Sequence, residues 1–413
     1  MDRFDVAVIG AGAAGLYCAG LAGQRGLGVV VLDHAERIGE KIRISGGGRC
    51  NFTNRDGADH RRYLSGDPRF ARAALRAHPP QRFIERVRAH RIPFHEKHRG
   101  QLFCDDSSQR IIDLLRAECG AGRVELRHPL RVVAVERGAA PRFVVVTDRG
   151  RIGATHLVVA CGGLSVSALG ASDFAWRLAA QWGIASVAPR PGLVPLTFTA
   201  QGWQPFAALA GLALPVRIAL AGIAAFDEDL LFSHRGLSGP AILQISSYWH
   251  PGDRPTIDLG AGVDLPRRLL DAKAGRHGGQ LAGVLAELLP KRLARTWLVA
   301  AEPGRQPGFE ALAGLTGQER IAEIADARLR LLGRALQTWS VTPAATEGYR
   351  KAEVTVGGIA TTELEPATLE ARRVPGSYWI GEAVDVTGWL GGYNFQWAWS
   401  SAAAAAQAIA LPR

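Results

Sequence analysis

The stretch FDVAVIGAGAAGLYCAGL at residues 4–21, followed by VVVLD at residues 29–33, decides the fold of this chain. An apolar run of strand length enters a turn with three glycines, and a helical segment and a second apolar run ending in an acid follow. This order of elements is the fingerprint of a dinucleotide-binding unit. Gly10 makes the tight turn, Gly12 lets the backbone approach a pyrophosphate and Gly15 lets the helix pack closely. We therefore predict a bound dinucleotide, against the alternative of a plain strand–turn–helix.

Length and composition predict a globular protein with more than one hydrophobic core. The chain has 413 residues, of which 47% are hydrophobic and 21% are charged. It is too long for one nucleotide-binding unit, so a second domain or a large insertion is expected. The start at Met1 carries no export signal, and neither the apolar stretch 206–226 nor the alanine-rich tail 397–411 fits a membrane span. We expect a cytoplasmic protein without a membrane partner.

The cysteines bear on redox and metal chemistry. They are five in number, namely Cys18, Cys50, Cys104, Cys119 and Cys161, and no CxxC pair occurs. This argues against a disulfide framework, a zinc site and a dithiol redox pair, so we expect no bound metal.

The net charge of +11 is unevenly distributed. Residues 55–100 hold eleven arginines and one lysine against five acids, a net charge of +7, together with five histidines. A basic patch attracts nucleic acid, a membrane surface or an anionic small molecule, whereas arginines on a solvated helix face need no partner. Both interpretations stay open at this point.

Periodicity and turn signals predict one domain at the two ends of the chain and an insertion in the middle. The first part covers residues 1–190 and the last part residues 345–413. The insertion covers residues 191–344, with a β-rich part at 191–260 and a helical part at 261–338. Predicted helices cover 68–92, 108–120, 173–183, 281–298 and 318–339, and predicted strands cover 130–136, 142–147, 156–160, 352–356 and 377–380.

A glycine-rich segment, SGGGRCNFTN at residues 45–54, is a second candidate for ligand contact. Its consecutive backbone N–H groups can form an anion nest, and Arg49 can neutralise a phosphate. The alternative is a flexible loop, which does not require Arg-Cys-Asn directly behind the glycines. The segment is not a P-loop, because no Gly-Lys-Ser/Thr follows.

The third candidate is the segment from Gly381 to Asn394, which leads into the last helix. It again has the order strand, glycine, acid, glycine loop and helix N-terminus, which can offer N–H groups and a positive dipole end to part of a long cofactor. Two ligand-facing glycine turns at opposite ends of the chain suit FAD better than NAD, and no second GxGxxG unit indicates a nicotinamide domain.

These stretches resemble the BaiN-type NAD(P)/FAD-dependent oxidoreductases. The matching segments are GAGAAGL at 10–16, ISGGGRCNFTN at 44–54, GGLS at 162–165, LFSHRGLSGPAIL at 231–243 and GGYNFQWAWSS at 391–401. The resemblance implies an α/β fold with a Rossmann-like, glutathione-reductase-type FAD-binding domain and a discontinuous insert of β-rich and helical subdomains. It also implies FAD contacts by Gly10, Gly12, Gly15, Asp33, Lys41, Gly47, Arg49, Cys50, Gly381, Asp385, Gly392 and Asn394. We extend the set of predicted FAD contacts by Ala13, Ala14, His34, Gly46, Gly48, Asn51, Val133, Ala160, Gly162, Glu382 and Tyr393.

The chain departs from the family pattern at a few positions. Asp33 stands where family members usually carry Glu, and Thr387 replaces a common acid. The segment 166–174 lacks the usual Tyr-Pro and Gly-Asp-Gly, which leaves the substrate specificity open.

The expected reaction is the reduction or formation of a C=C bond in a small organic substrate, with NAD(P)H or another electron donor. His234, in the motif segment 231–243, is the first choice for proton donor or carbonyl polariser, and Tyr393 and Cys50 are the alternatives. Arg235 is a candidate for holding a substrate carboxylate or a nicotinamide phosphate. The competing hypotheses are a flavin oxidase or hydroxylase, and a flavoprotein that acts on nucleic acid through residues 55–100. A monomer or a homodimer is expected.

Overall fold

The structure is a computed structural model that describes residues 1–275, 278–300 and 309–411. The strands in chain order are β1 (Asp2–Ile9), β2 (Val29–Leu32), β3 (Asn51–Asn54), β4 (Tyr63–Ser65), β5 (Phe94–Glu96), β6 (Gln101–Cys104), β7 (Glu125–Arg127), β8 (Val132–Arg137), β9 (Phe143–Thr147), β10 (Gly150–Val159), β11 (Ser186–Gly192), β12 (Leu196–Thr197), β13 (Ala213–Leu220), β14 (Ala224–Phe232), β15 (Gly236–Ser238), β16 (Thr256–Asp258), β17 (Trp339–Ser340), β18 (Ala345–Thr346), β19 (Val354–Ile359), β20 (Ser377–Trp379) and β21 (Val386–Gly388). The α-helices are α1 (Ala13–Gln24), α2 (Glu40–Ile44), α3 (Arg72–Ala77), α4 (Pro80–Ala89), α5 (Gln109–Ala121), α6 (Phe174–Gln181), α7 (Ala200–Ala207), α8 (Pro240–Ser246), α9 (Leu265–Ala274), α10 (Leu281–Leu288), α11 (Lys291–Ala300), α12 (Asp326–Gln337) and α13 (Tyr393–Ala408).

The chain divides into two compact units. Unit 1 contains Met1–Pro191 and Glu353–Arg413, and unit 2 contains Gly192–Ala352.

The main sheet of unit 1 has five parallel strands in the order β7-β2-β1-β10-β20. Residues 6–9 of β1 and all of β2 are buried, as expected for central strands of a parallel sheet covered by helices. β10 serves two neighbours, because residues 150–154 pair with antiparallel β9 and residues 157–159 pair with parallel β20. β8 continues the sheet beyond β9. Helix α1 packs against α5 and α13.

Unit 1 also contains three small sheets that shape its loops. They are β3-β6-β5, β21-β4 and β11-β19. The pairing of β4 with β21 joins an early segment of the chain to a late one. Helix α13 is alanine-rich and mostly buried, because small side chains let it pack closely against its neighbours.

Unit 2 is built on an antiparallel sheet of seven strands in the order β17-β16-β13-β14-β15-β12-β18. Side chains of β13 alternate between exposed and buried, so one face of this sheet is covered. On the covered side Trp203, Phe206, Phe232 and Trp339 form a group of stacked and tilted rings, which gives the unit its own core.

The predicted fold class is confirmed, and several element predictions need correction. The predicted helix 281–298 is two helices, α10 and α11, separated at Pro290, whose ring cannot continue a helix. Within the predicted helix 318–339 only α12 is α-helical, since Arg320 makes an isolated bridge with Gln280 and a 3-10 turn covers Ile321–Glu323. The short strands β3 to β6 were not predicted, because they are held by pairing with distant segments rather than by an apolar pattern.

Candidate cofactor site

The turn after β1 requires glycine for reasons of protein packing at two positions. Gly10 has φ of +109°, and a Cβ there would lie 2.4 Å from the carbonyl oxygen of Ala160. A Cβ at Gly15 would lie 1.9 Å from the carbonyl oxygen of Gly10. No larger residue fits at either place, so these glycines bring the end of β1, the start of α1 and the end of β10 together.

Gly12 is different, because the protein itself gives no reason for glycine there. Its φ of −88° is open to any residue, and a Cβ would meet no atom within 4 Å. Gly12 is the N-cap of α1, and no side chain caps this helix. An anion can therefore bind the free N–H groups of the first turn at the positive end of the helix dipole. Only glycine at this position lets such a ligand approach the backbone.

The carboxylate of Asp33 is held at the end of β2 by backbone N–H groups. Ala11 donates to one oxygen at 2.6 Å and Ala35 to the other at 2.8 Å. Asp33 therefore fixes the glycine turn, and each oxygen keeps a second lone pair for a ribose hydroxyl. The exposed imidazole of His34 lies 3.7 Å from the same carboxylate. The backbone N–H of Leu130 donates to the carbonyl of Asp33 at 2.7 Å, which brings the segment before β8 to this edge.

The glycine-rich segment forms a tight turn. Gly46, Gly47 and Gly48 all have positive φ, between 57° and 84°, and a Cβ at Gly47 or Gly48 would meet no atom within 4 Å. Arg49 follows with an exposed side chain that has no ion-pair or hydrogen-bond partner among the described residues. Successive N–H groups beside a free guanidinium suit an anionic group. Cys50 ends the turn with φ of +49° and a fully buried side chain.

The predicted segment from Gly381 to Asn394 contacts the glycine-rich segment 45–54 directly. With its amide oriented to satisfy its hydrogen bonds, Asn51 accepts from the N–H of Gly392 at 3.1 Å. The amide of Asn54 donates to the carbonyl of Gly391 at 2.9 Å. A Cβ at Gly392, whose φ is +97°, would lie 2.4 Å from the carbonyl oxygen of Thr53. The N-terminus of α13 begins at Gly392, carries no side-chain cap and so forms a second anion-attracting helix end.

A half-buried ion pair joins the start of the chain to its end. The ammonium of Lys41 lies 2.7 Å from both the carboxylate of Glu382 and the hydroxyl of Ser165. Ser165 also donates to Glu382 at 2.9 Å, and the N–H of Thr355 donates to it at 2.7 Å. Burial raises the pKa of Glu382, but the charge of Lys41 and these hydrogen bonds outweigh burial and lower it overall. Lys41 and Glu382 thus neutralise each other next to Gly162.

The predicted contact residue Asp385 is buried beside β21. The backbone N–H of Gly66 donates to its carboxylate at 3.0 Å. Burial raises the pKa of Asp385, although the hydrogen bond from Gly66 and the charge of Arg190 oppose this. Asn394 uses its side chain inside the protein, since its amide bonds the backbone N–H and carbonyl of Gly388 at 2.8 and 2.9 Å.

Two of the three predicted catalytic groups are buried. The hydroxyl of Tyr393 accepts from Arg62, and burial, opposed by Arg62, raises its pKa to about 12. Burial raises the pKa of the Cys50 thiol well above its usual range. At neutral pH Cys50 therefore stays a thiol, which is a poor nucleophile. Its burial agrees with the packing role that a lone cysteine beside a glycine loop often has.

The third group, His234, lies in unit 2 at the exposed tip between β14 and β15. The hydroxyl of Ser233 donates to the carbonyl of Gly236 at 2.9 Å and closes this turn. A Cβ at Gly236 would lie 2.1 Å from the carbonyl of Leu196, so glycine is required there by the pairing of β15 with β12. The hairpin is thus rigid at its base, and the side chains of His234 and Arg235 point to solvent.

Most of the other predicted contact residues belong to the same set of turns. Ala13 and Ala14 form the first turn of α1, and a Cβ at Gly381 would lie 2.9 Å from that of Ala14. Gly162 follows β10 with φ of +72°. Val133 lies on β8 at a register shift, with 56% of its surface exposed.

Sequence reasoning missed three residues that support the site. Ser165 and Thr355 hold Glu382, and Gly66 holds Asp385. Ser165 ends the motif GGLS, so its hydroxyl could have been proposed. Thr355 lies in an ordinary β-pattern and Gly66 in a polar turn, and neither carries a sequence signal.

The described residues fit FAD, a long dinucleotide that needs separate support for its two ends. Two helix N-termini without side-chain caps are suited to give this support, and so are the open Gly12 and Gly47 positions and the free Arg49. Fold and site thus define a Rossmann-type oxidoreductase that carries FAD.

The chain matches the family described as HI0933-like protein Rossmann domain over residues 4–408, and it belongs to that family. Two relatives are each named ribosomal RNA dihydrouridine synthase. That of Escherichia coli is 46% identical over 98% of both chains, and that of Haemophilus influenzae is 41% identical over 97% of both. A 3-dehydro-bile acid delta(4,6)-reductase of Clostridium scindens is 31% identical over 98% of both chains. A solved flavocytochrome c3 fumarate reductase is similar over 99% of this chain and 79% of that one, at 15% identity and a TM-score of 0.46. The family resemblance inferred from the sequence is confirmed.

No helix in the described ranges is long and apolar enough to cross a membrane. Within the same part of the chain, no group of three or more His, Cys, Asp or Glu side chains is arranged to hold a metal ion.

Proposed function

We propose that this protein reduces the C5–C6 double bond of a uridine in ribosomal RNA, with NAD(P)H as the electron donor. The observation that carries this proposal is the similarity, over nearly the whole chain, to two relatives named for ribosomal RNA dihydrouridine synthesis. The strongly basic segment 55–100 supports an RNA substrate over a small neutral one.

The chemistry suits the site. The C5–C6 bond of uracil is conjugated with the C4 carbonyl, so C6 accepts a hydride and C5 then takes a proton. Bound FAD, once reduced, supplies the hydride. The chain must hold the cofactor, keep the base beside it and deliver the proton.

His234 is our proposed proton donor. Tyr393 is buried against Arg62 and Cys50 is a buried neutral thiol, so neither offers an accessible proton to a base. The imidazole of His234 is exposed on a hairpin that its glycine and serine hold rigid. We expect His234→Ala to lower kcat for RNA reduction by about 100-fold or more, since general-acid catalysis typically contributes about 100- to 10,000-fold.

The test of His234 separates the two half-reactions. Reduction of bound FAD by NADPH should proceed in His234→Ala at the wild-type rate, and only reoxidation by RNA should slow. Arg254→Gln, a charge change elsewhere in unit 2, is the control. Full RNA turnover by His234→Ala would remove this residue from the mechanism.

The main experiment uses ribosomal RNA from an Escherichia coli strain deleted for the similar enzyme. The RNA is incubated with the purified protein and NADPH or NADH, digested to nucleosides and analysed by mass spectrometry. We expect a nucleoside that is heavier than uridine by two hydrogen atoms and that depends on the donor. Protein stripped of FAD serves as the control. Donor oxidation without this nucleoside would overturn the proposal.

A second candidate is the reduction of a double bond conjugated with a ketone in a small cyclic substrate. It is favoured by the full-length similarity to the 3-dehydro-bile acid delta(4,6)-reductase. Both candidates are reductions of a C=C bond conjugated with a carbonyl, and they differ in substrate size and charge. Loss of the absorbance of a 3-oxo-Δ4,6-steroid under NADPH, with no change in ribosomal RNA, would support the second candidate.

A further inference from the structure

Some cationic side chains of the basic segment 55–100 form ion pairs in the structure, and others do not. Arg55 pairs with Glu96, Arg61 with Asp59, and Arg86 lies 2.7 Å from Glu118. These three arginines therefore already have a carboxylate partner within the protein.

Three other arginines form what we call the α3 arginine face, namely Arg69, Arg72 and Arg76. All three side chains are exposed, and among the described residues they have no ion-pair or hydrogen-bond partner. Arg69 lies in the turn before α3, and the spacing of three and four residues places the three side chains on one side of the helix. The opposite side, with Phe70, Ala74 and Leu75 among its residues, is buried. The charge is therefore concentrated on a single surface.

The α3 arginine face begins next to the predicted cofactor contacts. Gly66, three residues before Arg69, donates its N–H to Asp385. At the other end of α3 the carbonyl of His78 accepts from Gln396 at 2.9 Å and from Ser400 at 2.8 Å, both on α13. The helix that carries the arginines is thus fixed at both ends to segments of the predicted FAD site.

We propose that the α3 arginine face binds the sugar-phosphate backbone of the RNA whose uridine is reduced. This inference rests on the function proposed above. Guanidinium groups are suited to phosphate, and unpaired exposed arginines keep their full attraction for it. A rigid attachment beside the cofactor site lets phosphate contacts set the position of a base without reading its sequence.

The expected effect on binding follows from counterion release. If each arginine neutralises one phosphate of a single-stranded region, the slope of log K against log salt changes by about 0.7 per contact, or about 2 for three. Between 50 and 200 mM salt, wild-type protein should therefore lose about 20-fold more affinity than a variant without the three charges.

The experiment compares two triple variants of the full-length FAD-loaded protein. One is Arg69→Gln/Arg72→Gln/Arg76→Gln. The control is Arg123→Gln/Arg137→Gln/Arg149→Gln, which removes three arginines that are also exposed and have no partner among the described residues. Filter binding of the deletion-strain ribosomal RNA is measured as a function of salt. FAD content, flavin reduction by NADPH and dihydrouridine formation are measured on the same preparations.

The outcomes are distinguishable. A slope reduced by about 2 and a lower kcat/KM for RNA in the α3 variant alone, with normal FAD content and flavin reduction, support the proposal. If wild-type protein forms dihydrouridine and the α3 variant behaves like the control, the docking surface is wrong and the proposed function stands. If wild-type protein forms none, the proposed function fails and this inference fails with it.

Discussion

The sharpest test of the cofactor site is Gly12→Ala. A Cβ at this position meets no protein atom within 4 Å, and the φ of −88° suits alanine. The fold should therefore accept the change, while a pyrophosphate at the start of α1 should not. We expect a protein that folds normally and binds FAD weakly.

The magnitudes follow from the local geometry. In the FAD-free protein, alanine at an N-cap lowers the free energy of unfolding by about 1 kcal/mol. The lower entropy of the unfolded chain raises it by about 0.4–1 kcal/mol, so stability changes little. With FAD bound, one methyl group forced into a packed contact costs about 1–3 kcal/mol. This corresponds to a Kd for FAD about 5- to 150-fold higher.

Gly10→Ala is the matched control, since it makes the same change two residues away. Here the Cβ would lie 2.4 Å from the carbonyl of Ala160, at a φ of +109°. Strain and overpacking should together cost about 2–5 kcal/mol without any ligand, which lowers the melting temperature by on the order of 10 °C.

The assay has two readings, namely the melting temperature of FAD-free protein by circular dichroism and FAD titration by flavin fluorescence. Gly12→Ala should have the wild-type melting temperature and a weaker affinity for FAD. Gly10→Ala should already have a lower melting temperature without FAD. A Gly12→Ala variant with wild-type FAD affinity would refute the argument that this glycine serves the cofactor.

Three further predictions concern polar and thiol side chains of unit 1. Because the pKa of Glu382 is lowered in the folded state, its stabilising contribution is present above the unfolded pKa of about 4.3 and is lost as pH falls through the lower folded value. The melting-temperature deficit of Lys41→Met should therefore be smaller at about pH 3 than at pH 7, and a pH-independent deficit would count against the ion pair. Tyr393→Phe removes one hydrogen bond from Arg62 and should cost about 1 kcal/mol of stability while keeping FAD and turnover, so a large loss of turnover would restore the phenol as a catalytic candidate. Cys50 and three other cysteines are buried, so Ellman's reagent should titrate at most one of the five thiols before denaturant is added, and early release of several would contradict this packing.

The parts of the fold that followed from sequence are those with strong local signals. The run before Gly10 and the run at 29–32 are β1 and β2, and the three predicted strands of residues 130–160 are β8, β9 and β10. β10 begins six residues earlier than its prediction, at Gly150 instead of His156. Its first half pairs with β9 and has polar residues at exposed positions, so apolar content alone underestimates its length.

The site could be predicted only as separate turns, because the contacts between them are long-range. Glycines and acids marked the candidate cofactor segments, since each of these residue types carries a local conformational or charge signal. The pairing of Lys41 with Glu382 spans 341 residues, and no local pattern indicates it. The support of Asp385 by Gly66 depends on the pairing of β4 with β21, and β4 is too short and polar to be recognised as a strand.

Helix α13 gives a physical explanation for GGYNFQWAWSS, one of the motifs that match the BaiN-type family. Gln396 donates to the carbonyl of His78 at 2.9 Å. Trp397 donates to the carbonyl of Gly381 at 2.9 Å, and Trp399 to that of Phe52 at 2.8 Å. Successive residues of a helix point about 100° apart, so these side chains reach three segments that are distant in sequence. All three bonds are buried, where losing a partner costs about 1–3 kcal/mol, and this restricts the residue types. Gln396, Trp397 and Trp399 thus hold the helix that carries the α3 arginine face, the Gly381 turn and the glycine-rich segment, while the first residues of the motif form the helix N-terminus that faces the predicted cofactor.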